Sequence, residues 1–171
     1  YLGNLINMGG VHAAFWLTLE PVAFMNDFAG KFDLLLMTLP LTFLPSLLAI
    51  IVAIWNTRKT ILARNYWLCA LVLSLIGLGL SAVYFIPMNN GFVAQSFTPE
   101  EARVNLEFWY NLHWVRVALS AVSCLFTLLA FKATVNAHHQ IIPVLYTHLT
   151  LPTKESMEIT VGVGYFNEKE R

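Results

Sequence analysis

Apolar residues occur along this chain in four long stretches, separated by short polar segments. The stretches cover about residues 2–19, 34–55, 66–86 and 112–131. A helix needs about 20 apolar residues to cross about 30 Å of hydrocarbon, and the last three stretches meet that length. The second and third stretches show almost no polar face, which argues against a soluble bundle. The pattern therefore predicts an all-α fold, an integral membrane four-helix bundle.

The first 135 residues and the rest of the chain differ in character. Residues 1–135 hold all four apolar stretches and form the predicted transmembrane domain, whose first helix we expect to be truncated because Tyr1 is not an initiator Met. Residues 136–171 are a predicted cytoplasmic tail with no apolar stretch of membrane length. Within it, Tyr146–Thr153 resembles the translated reading frame of a common sequencing adapter, which predicts non-native sequence from about residue 145. The alternative is a native, disordered tail.

The composition changes this picture by excluding other classes of protein. The chain is 57% hydrophobic and 12% charged, whereas a typical soluble domain is about 25% charged. Its formal net charge is zero, which argues against nucleic acid as a partner and leaves membrane lipid as the expected one. Two cysteines, Cys69 and Cys124, lie in apolar stretches without a CxxC pair. Their spacing argues against a quinone-linked thiol oxidoreductase.

The charges between the apolar stretches predict the orientation in the membrane. Between the second and third stretches lie Arg58, Lys59 and Arg64, with no acidic residue. The next connection is mainly acidic and carries Glu100, Glu101, Arg103 and Glu107. The positive-inside rule places the basic connection in the cytoplasm and the acidic one outside. Both termini are then cytoplasmic, and a bacterial inner membrane is the expected location.

The segment between the third and fourth stretches is predicted to be an external loop over residues 89–110. Pro87 is expected to end the third span, so that Asn89-Asn90-Gly91 forms a polar cap or a plain turn. Thr98 and Glu101 have the spacing of a capping box, with Pro99 between them in the first turn. This pattern predicts a short outer helix that continues into the fourth span.

Polar residues recur every three or four positions along the fourth stretch, and therefore share one helix face. They are His113, Arg116, Ser120, Ser123 and Thr127. A charged residue at the bilayer centre costs roughly 2.5–3.5 kcal/mol on insertion scales, so Arg116 is expected to face a partner or a wet cavity. The His113–Arg116 pair is the first candidate site. Alternatively, Arg116 pairs with Glu107 or extends to the outer interface, and the hydroxyls only join helices.

Other polar and aromatic residues are predicted near the outer ends of the spans. Glu20 follows the first stretch, and His12 is predicted to lie deeper than both Glu20 and His113. An outer-leaflet pocket would suit a flat, apolar aromatic ligand; its lining would be His12, Trp16, Glu20, Asn89, Asn90, Trp109, His113 and Arg116. Alone in a span, His12 is more typical of a packing residue. No HxxxH or ExxH pair occurs within a span, so no metal site is predicted.

Three segments resemble the anthrone oxygenase-like membrane proteins, whose bacterial members are mostly a domain of unknown function. They are Phe85–Asn90, Thr98–Glu101 and Trp109–Arg116, and the resemblance covers about residues 3–135. It implies oxidation of anthrones to anthraquinones by dioxygen, as in some fungal members, without a recognised cofactor. It also implies His113 as the catalytic base with Asn89 and Arg116 as polar partners. The alternatives left open are a membrane bundle that binds or moves a small apolar molecule, one that stabilises a membrane partner, and a purely structural protein.

Overall fold

The computed structural model describes the backbone of residues 1–166 and the side chains of residues 1–137. All regular structure there is helical, and it forms four rods because the helical segments within residues 2–16 are continuous, as are those within residues 61–93. The all-α class with four helices is therefore confirmed. The elements are α1 (Leu2–Asn7), the π-helix π1 (Met8–Ala13), α2 (Ala14–Trp16), α3 (Pro21–Asn56), α4 (Ile61–Leu80), the π-helix π2 (Ser81–Phe85), α5 (Ile86–Val93) and α6 (Pro99–Phe166).

The chain divides into two units, residues 1–131 and residues 132–171. The second unit is helical as far as Phe166. The predictions of a disordered or non-native tail remain predictions, because the side chains from residue 138 onward and all of residues 167–171 lie outside the described part of the chain.

Three helices are long and apolar enough to cross a membrane: Pro21–Asn56, Ile61–Val93 and Pro99–Ala137. Their large apolar side chains mostly point outward. On α3, Leu34, Met37 and Leu41 are exposed by 73%, 75% and 76% and follow one another at helical spacing. Soluble monomers rarely expose such continuous apolar surface. The protein is therefore a multi-pass helical membrane protein with outer faces suited to lipid.

The helices extend beyond the predicted apolar stretches. Helix α3 begins at Pro21 and continues through Pro40 and Pro45. Helix α5 carries the chain through Asn89, so the predictions that Pro87 ends the third span and that residue 89 begins a loop are wrong. Pro87 is the second residue of α5, directly after π2, and the helical rod continues through it.

Local hydrogen bonds hold both ends of the connection between α5 and α6. After α5, Gln95 takes a left-handed conformation with φ 52°, and the Ser96 N–H donates to the Gly91 carbonyl over 3.1 Å. This is the Schellman arrangement that ends many helices. Before α6, the Thr98 N–H donates to Glu101 Oε2 over 2.9 Å, and the Glu101 N–H donates to Thr98 Oγ1 over 3.3 Å. The predicted capping box is confirmed.

An aromatic cluster fills the end of the bundle that carries Glu20. Its buried members pack mostly edge to face, the favoured geometry for aromatic pairs. Arg103 of α6 ties the first rod to this end, because it donates to the carbonyls of Leu17 over 2.7 Å and Leu19 over 2.8 Å. These carbonyls lie just after α2, where helical acceptors lack N–H partners. The cluster consists of Trp16, Phe24, Phe28, Phe85, Phe92 and Trp109.

The small-residue face of α4 packs closely against α6. Ala70 and Gly77 are buried. Ser123 Oγ donates to the Ala70 carbonyl over 3.0 Å and lies 3.2 Å from Ser74 Oγ. Small side chains allow helices to approach closely in membranes, and hydroxyls then join them. This face of α4 therefore serves helix packing.

Candidate functional site

His113 lies inside the bundle with no exposed surface. Its ring stacks on the Trp109 indole, with 5.1 Å between the ring centroids and an angle of 6° between the planes. The first rod closes the other side of the ring, because a Cβ at Gly9 would lie 2.9 Å from His113 Cδ2. Only glycine leaves room there. Helix α6 thus supplies the imidazole, and π1 shapes the slot that holds it.

The hydrogen bonds of His113 assign its tautomer. His113 Nε2 lies 2.9 Å from the Leu5 carbonyl, which can only accept, so Nε2 carries the proton. Arg116 Nη2 lies 2.9 Å from His113 Nδ1 and can only donate, so Nδ1 accepts. His113 is therefore neutral, with both ring nitrogens engaged. A role as a base requires Arg116 to leave Nδ1.

Arg116 is a buried cation, 4% exposed. Its Nη1 donates to Ser81 Oγ over 3.2 Å, and the guanidinium carbon lies 3.8 Å from the centroid of the Phe85 ring. Its Nε has no hydrogen-bond partner among the described residues. No carboxylate there pairs with it, since the ion pair seen in residues 1–137 joins Lys31 and Asp27. The positive charge therefore rests on neutral acceptors and an aromatic face.

Both π-helical segments lie against this pair. The first carries Gly9, which faces the His113 ring. The second carries Ser81 and Phe85, which contact the guanidinium. Single π-helical turns are rare and occur frequently at functional sites. Their placement on either side of one His–Arg pair marks this location as the candidate site.

An apolar cavity of about 340 Å³ lies beside Arg116. We call it the ligand cavity. Helices α3, α4 and α5 and the π-helix π2 supply leucine, isoleucine and phenylalanine side chains to its wall, and Tyr1, Ser81, Asn89 and Arg116 supply polar groups. Asn89 Oδ1 accepts a 2.9 Å hydrogen bond from Trp109 Nε1, which leaves the Asn89 amide N–H groups as donors. The volume and the few polar groups match ordinary small-molecule sites.

The structure links most of the predicted pocket residues. The His12 ring is 6.0 Å from that of Trp16, which is 6.3 Å from that of Trp109. Trp109 then contacts Asn89 and His113, as described above. Glu20 and Asn90 are exposed. The catalytic roles assigned to these residues remain predictions.

One sequence-based prediction about this site is wrong, and one alternative is not observed. His113 is level with Leu5 and Gly9, so it lies farther from the Glu20 end than His12 does, which reverses the predicted depths. The reason is that α6 begins at Pro99 and adds several turns before His113. The pairing of Arg116 with Glu107 is also absent, because Glu107 is exposed and Arg116 is buried.

Some contributors to the site could not be recognised from the sequence. Ser81 is a small residue within the third apolar stretch, and nothing in its position along the sequence indicates a contact with Arg116. Gly9 and the Leu5 carbonyl matter because of where the first rod passes α6, which one sequence does not reveal. Phe85 belongs to one of the three segments that carry the family resemblance. Nothing in that segment, however, indicates a contact with Arg116.

The chain matches no protein-family model, no curated protein and no solved structure. The fold and the site therefore define its class on their own. It is a multi-pass helical membrane protein with a buried His–Arg pair beside an apolar cavity. Within residues 1–137, no group of three His, Cys, Asp or Glu side chains could hold a metal ion.

Proposed function

We propose that the protein binds a small, mainly apolar molecule whose anionic oxygen rests on Arg116. The observation that supports this is the buried guanidinium on the wall of the ligand cavity, without a carboxylate partner in the described residues. An uncompensated buried charge costs several kcal/mol, and a ligand anion would offset that cost. The guanidinium fork suits a carboxylate or an enolate, and the Asn89 amide adds a further donor.

The surroundings of the cavity favour a ligand that arrives from the bilayer. Its wall includes Leu36, Leu44, Leu78 and Ile86, which are exposed by 46%, 53%, 44% and 52%. These side chains lie on the surface that suits lipid, so the mouth of the cavity opens there. A flat aromatic molecule dissolved in the membrane can enter without crossing water.

Replacing Arg116 by glutamine should weaken ligand binding at least about tenfold, the effect of losing one charge-assisted hydrogen bond. The probe is 1,8-dihydroxyanthraquinone, which is flat and carries an ionisable oxygen. Quenching of tryptophan fluorescence is titrated in lipid nanodiscs, with empty nanodiscs as the blank. Arg58→Gln makes the same change at an exposed position and should bind like the unaltered protein. Equal affinity in the two variants would contradict a role for Arg116.

A second candidate function is oxidation of an anthrone-like substrate, as the family resemblance implies. The observation that favours it is that Arg116 both lines the cavity and occupies His113 Nδ1. A substrate carbonyl that draws Arg116 toward itself would free Nδ1 as a base. His113 then takes the C–H proton, and Arg116 stabilises the enolate oxygen. The enolate carbon adds to dioxygen, and loss of water leaves one anthraquinone per dioxygen consumed.

Dioxygen uptake with anthrone distinguishes this candidate from simple binding. Membranes that contain the protein should consume one dioxygen per anthraquinone formed, and His113→Ala should reduce the rate at least about 100-fold, the usual contribution of a general base. His12→Ala is the matched control, because His113 is hydrogen-bonded to Arg116 on the cavity wall, whereas the His12 ring lies beside Trp16. Saturable binding without uptake would reject the enzyme and retain the binding function.

A further inference from the structure

A small cavity of about 30 Å³ lies between the first rod and helices α3, α5 and α6. We call it the recess. Phenylalanine and leucine side chains of α3 form most of its wall, and Met8 bounds it on the first rod. Its polar residues are Asn89, Trp109 and Arg116. Because Asn89 and Arg116 also line the ligand cavity, the two spaces adjoin. Neither the proposed binding nor the oxygenation uses the recess.

Arg116 brings one unused donor to the wall of the recess. Its Nη1 donates to Ser81 and its Nη2 to His113, whereas its Nε–H is buried without a hydrogen-bond partner among the described residues. The guanidinium also packs on the face of Phe85, so turning it to serve Nε would break one of these contacts. An unpaired donor on a buried charged group is costly, because the group has lost its water and gained nothing in return.

Asn89 is held on the same wall by a bond from α6. Its Oδ1 accepts from Trp109 Nε1, which assigns the orientation of the amide, because an indole N–H can only donate. The amide N–H groups and a second lone pair on Oδ1 remain available. Within the described part of the chain, Asn89 and Arg116 share no direct hydrogen bond. A molecule that joins them must therefore be small and must accept a hydrogen bond from Nε–H.

We infer that the recess holds one ordered water molecule, which joins Arg116 Nε to the Asn89 amide. The cavity of about 30 Å³ exceeds the roughly 10–15 Å³ that a water needs. The water oxygen accepts from Nε–H, and the Asn89 amide provides a further donor and an acceptor. Buried waters typically have two to four such partners, whereas cavities with wholly apolar walls stay dry.

A small anion is the other species that could accept from Nε–H. It would give up its hydration for two or three donors in a wall that is otherwise apolar, which makes water the better occupant. Asn89 then acts as a positioning residue, because it holds the Arg116 guanidinium through the water. This inference concerns the recess and not the ligand cavity, so it does not depend on the proposed function.

A crystal structure of the full chain, grown from a lipid mesophase and resolved well enough to show internal waters, tests the occupant. We expect a water oxygen about 2.7–3.2 Å from Arg116 Nε, the ordinary hydrogen-bond distance. Crystals soaked in bromide distinguish the alternative. An anomalous bromide peak beside Nε would assign an anion to the recess, and a recess without density among otherwise resolved internal waters would also overturn the inference.

Matched variants test the part played by Asn89. Asn89→Leu removes both polar atoms at similar side-chain volume, and Asn90→Leu makes the same change at the neighbouring exposed position. The probe is the Arg116 Nε–H signal in ¹⁵N-arginine NMR of the full chain in nanodiscs, identified by its loss in Arg116→Lys. A cross peak between this proton and water should appear in the unaltered protein and in Asn90→Leu, and should be lost in Asn89→Leu.

A second variant keeps this test decisive if Asn89→Leu does not fold. Asn89→Met also removes the amide, and its flexible side chain adapts to irregular surroundings. It should lose the cross peak as well. A cross peak that persists in either folded Asn89 variant would show that Asn89 does not hold the water, and its absence from the unaltered protein would show that no water is bound at Nε.

Discussion

Replacing Trp16 by alanine should lower the free energy of unfolding by about 3–5 kcal/mol, the usual cost of removing a buried tryptophan. Trp16 has no exposed surface and lies 4.9 Å, centroid to centroid, from Phe28. Its Nε1 donates to Asp27 Oδ2 over 2.8 Å. The alanine variant loses both the packing of the indole in the aromatic cluster and the hydrogen bond to Asp27. Unfolding is followed by circular dichroism during titration with SDS in mixed micelles.

Two further variants divide this effect into its parts. Trp16→Phe keeps an aromatic ring but loses the donor to Asp27, and should cost about 1.5–3 kcal/mol, typical of a lost hydrogen bond to a charged group. Trp55→Ala removes the same side chain at a position that is 69% exposed. That control should change the unfolding free energy by less than about 1 kcal/mol. Equal destabilisation by Trp16→Ala and Trp55→Ala would mean that the aromatic cluster does not hold the rods together.

The class of fold could be predicted from the sequence because a helix that crosses hydrocarbon must meet a simple condition. It must be long enough to span the bilayer and apolar along that length. Three of the four stretches satisfy it, and they became the three long helices. The polar face of the last stretch was also predictable, because His113 and Arg116 can lie together only if they share a helix face. The structure confirms this, because the two side chains, three residues apart on α6, are hydrogen-bonded to each other.

The ends of the helices and the depth of the site were less predictable. The third rod continues through the polar residues Asn89 and Asn90, so hydropathy alone stops short of its true end. The π-helical turns depend on how neighbouring rods pack, which no local pattern encodes. For this reason the sequence located His113 near a surface, whereas the structure buries it against Leu5 and Gly9.

Gly9→Ala should destabilise the protein by about 1–3 kcal/mol, the cost of forcing a side chain into a filled core. The new Cβ would lie 2.9 Å from His113 Cδ2 and 3.1 Å from Nε2. The ring cannot retreat, because it is stacked on Trp109 and its Nε2 donates to the Leu5 carbonyl. Displacing it breaks that hydrogen bond and releases Arg116, so binding of the anthraquinone probe should weaken as well.

The next residue supplies a matched control, because Gly10 is exposed and a Cβ there would meet nothing within 4 Å. Gly10→Ala should therefore stabilise the protein slightly, by about 0.5–1 kcal/mol, as alanine usually does in place of glycine inside a helix. Unfolding in SDS measures both variants, and ¹⁵N-histidine NMR follows the His113 tautomer. The Nε2-protonated signal should persist in Gly10→Ala and change in Gly9→Ala. If Gly9→Ala instead resembled Gly10→Ala in stability, tautomer and probe affinity, the first rod would not hold His113, and the slot that presents Arg116 to the ligand cavity would be formed by α6 and π2 alone.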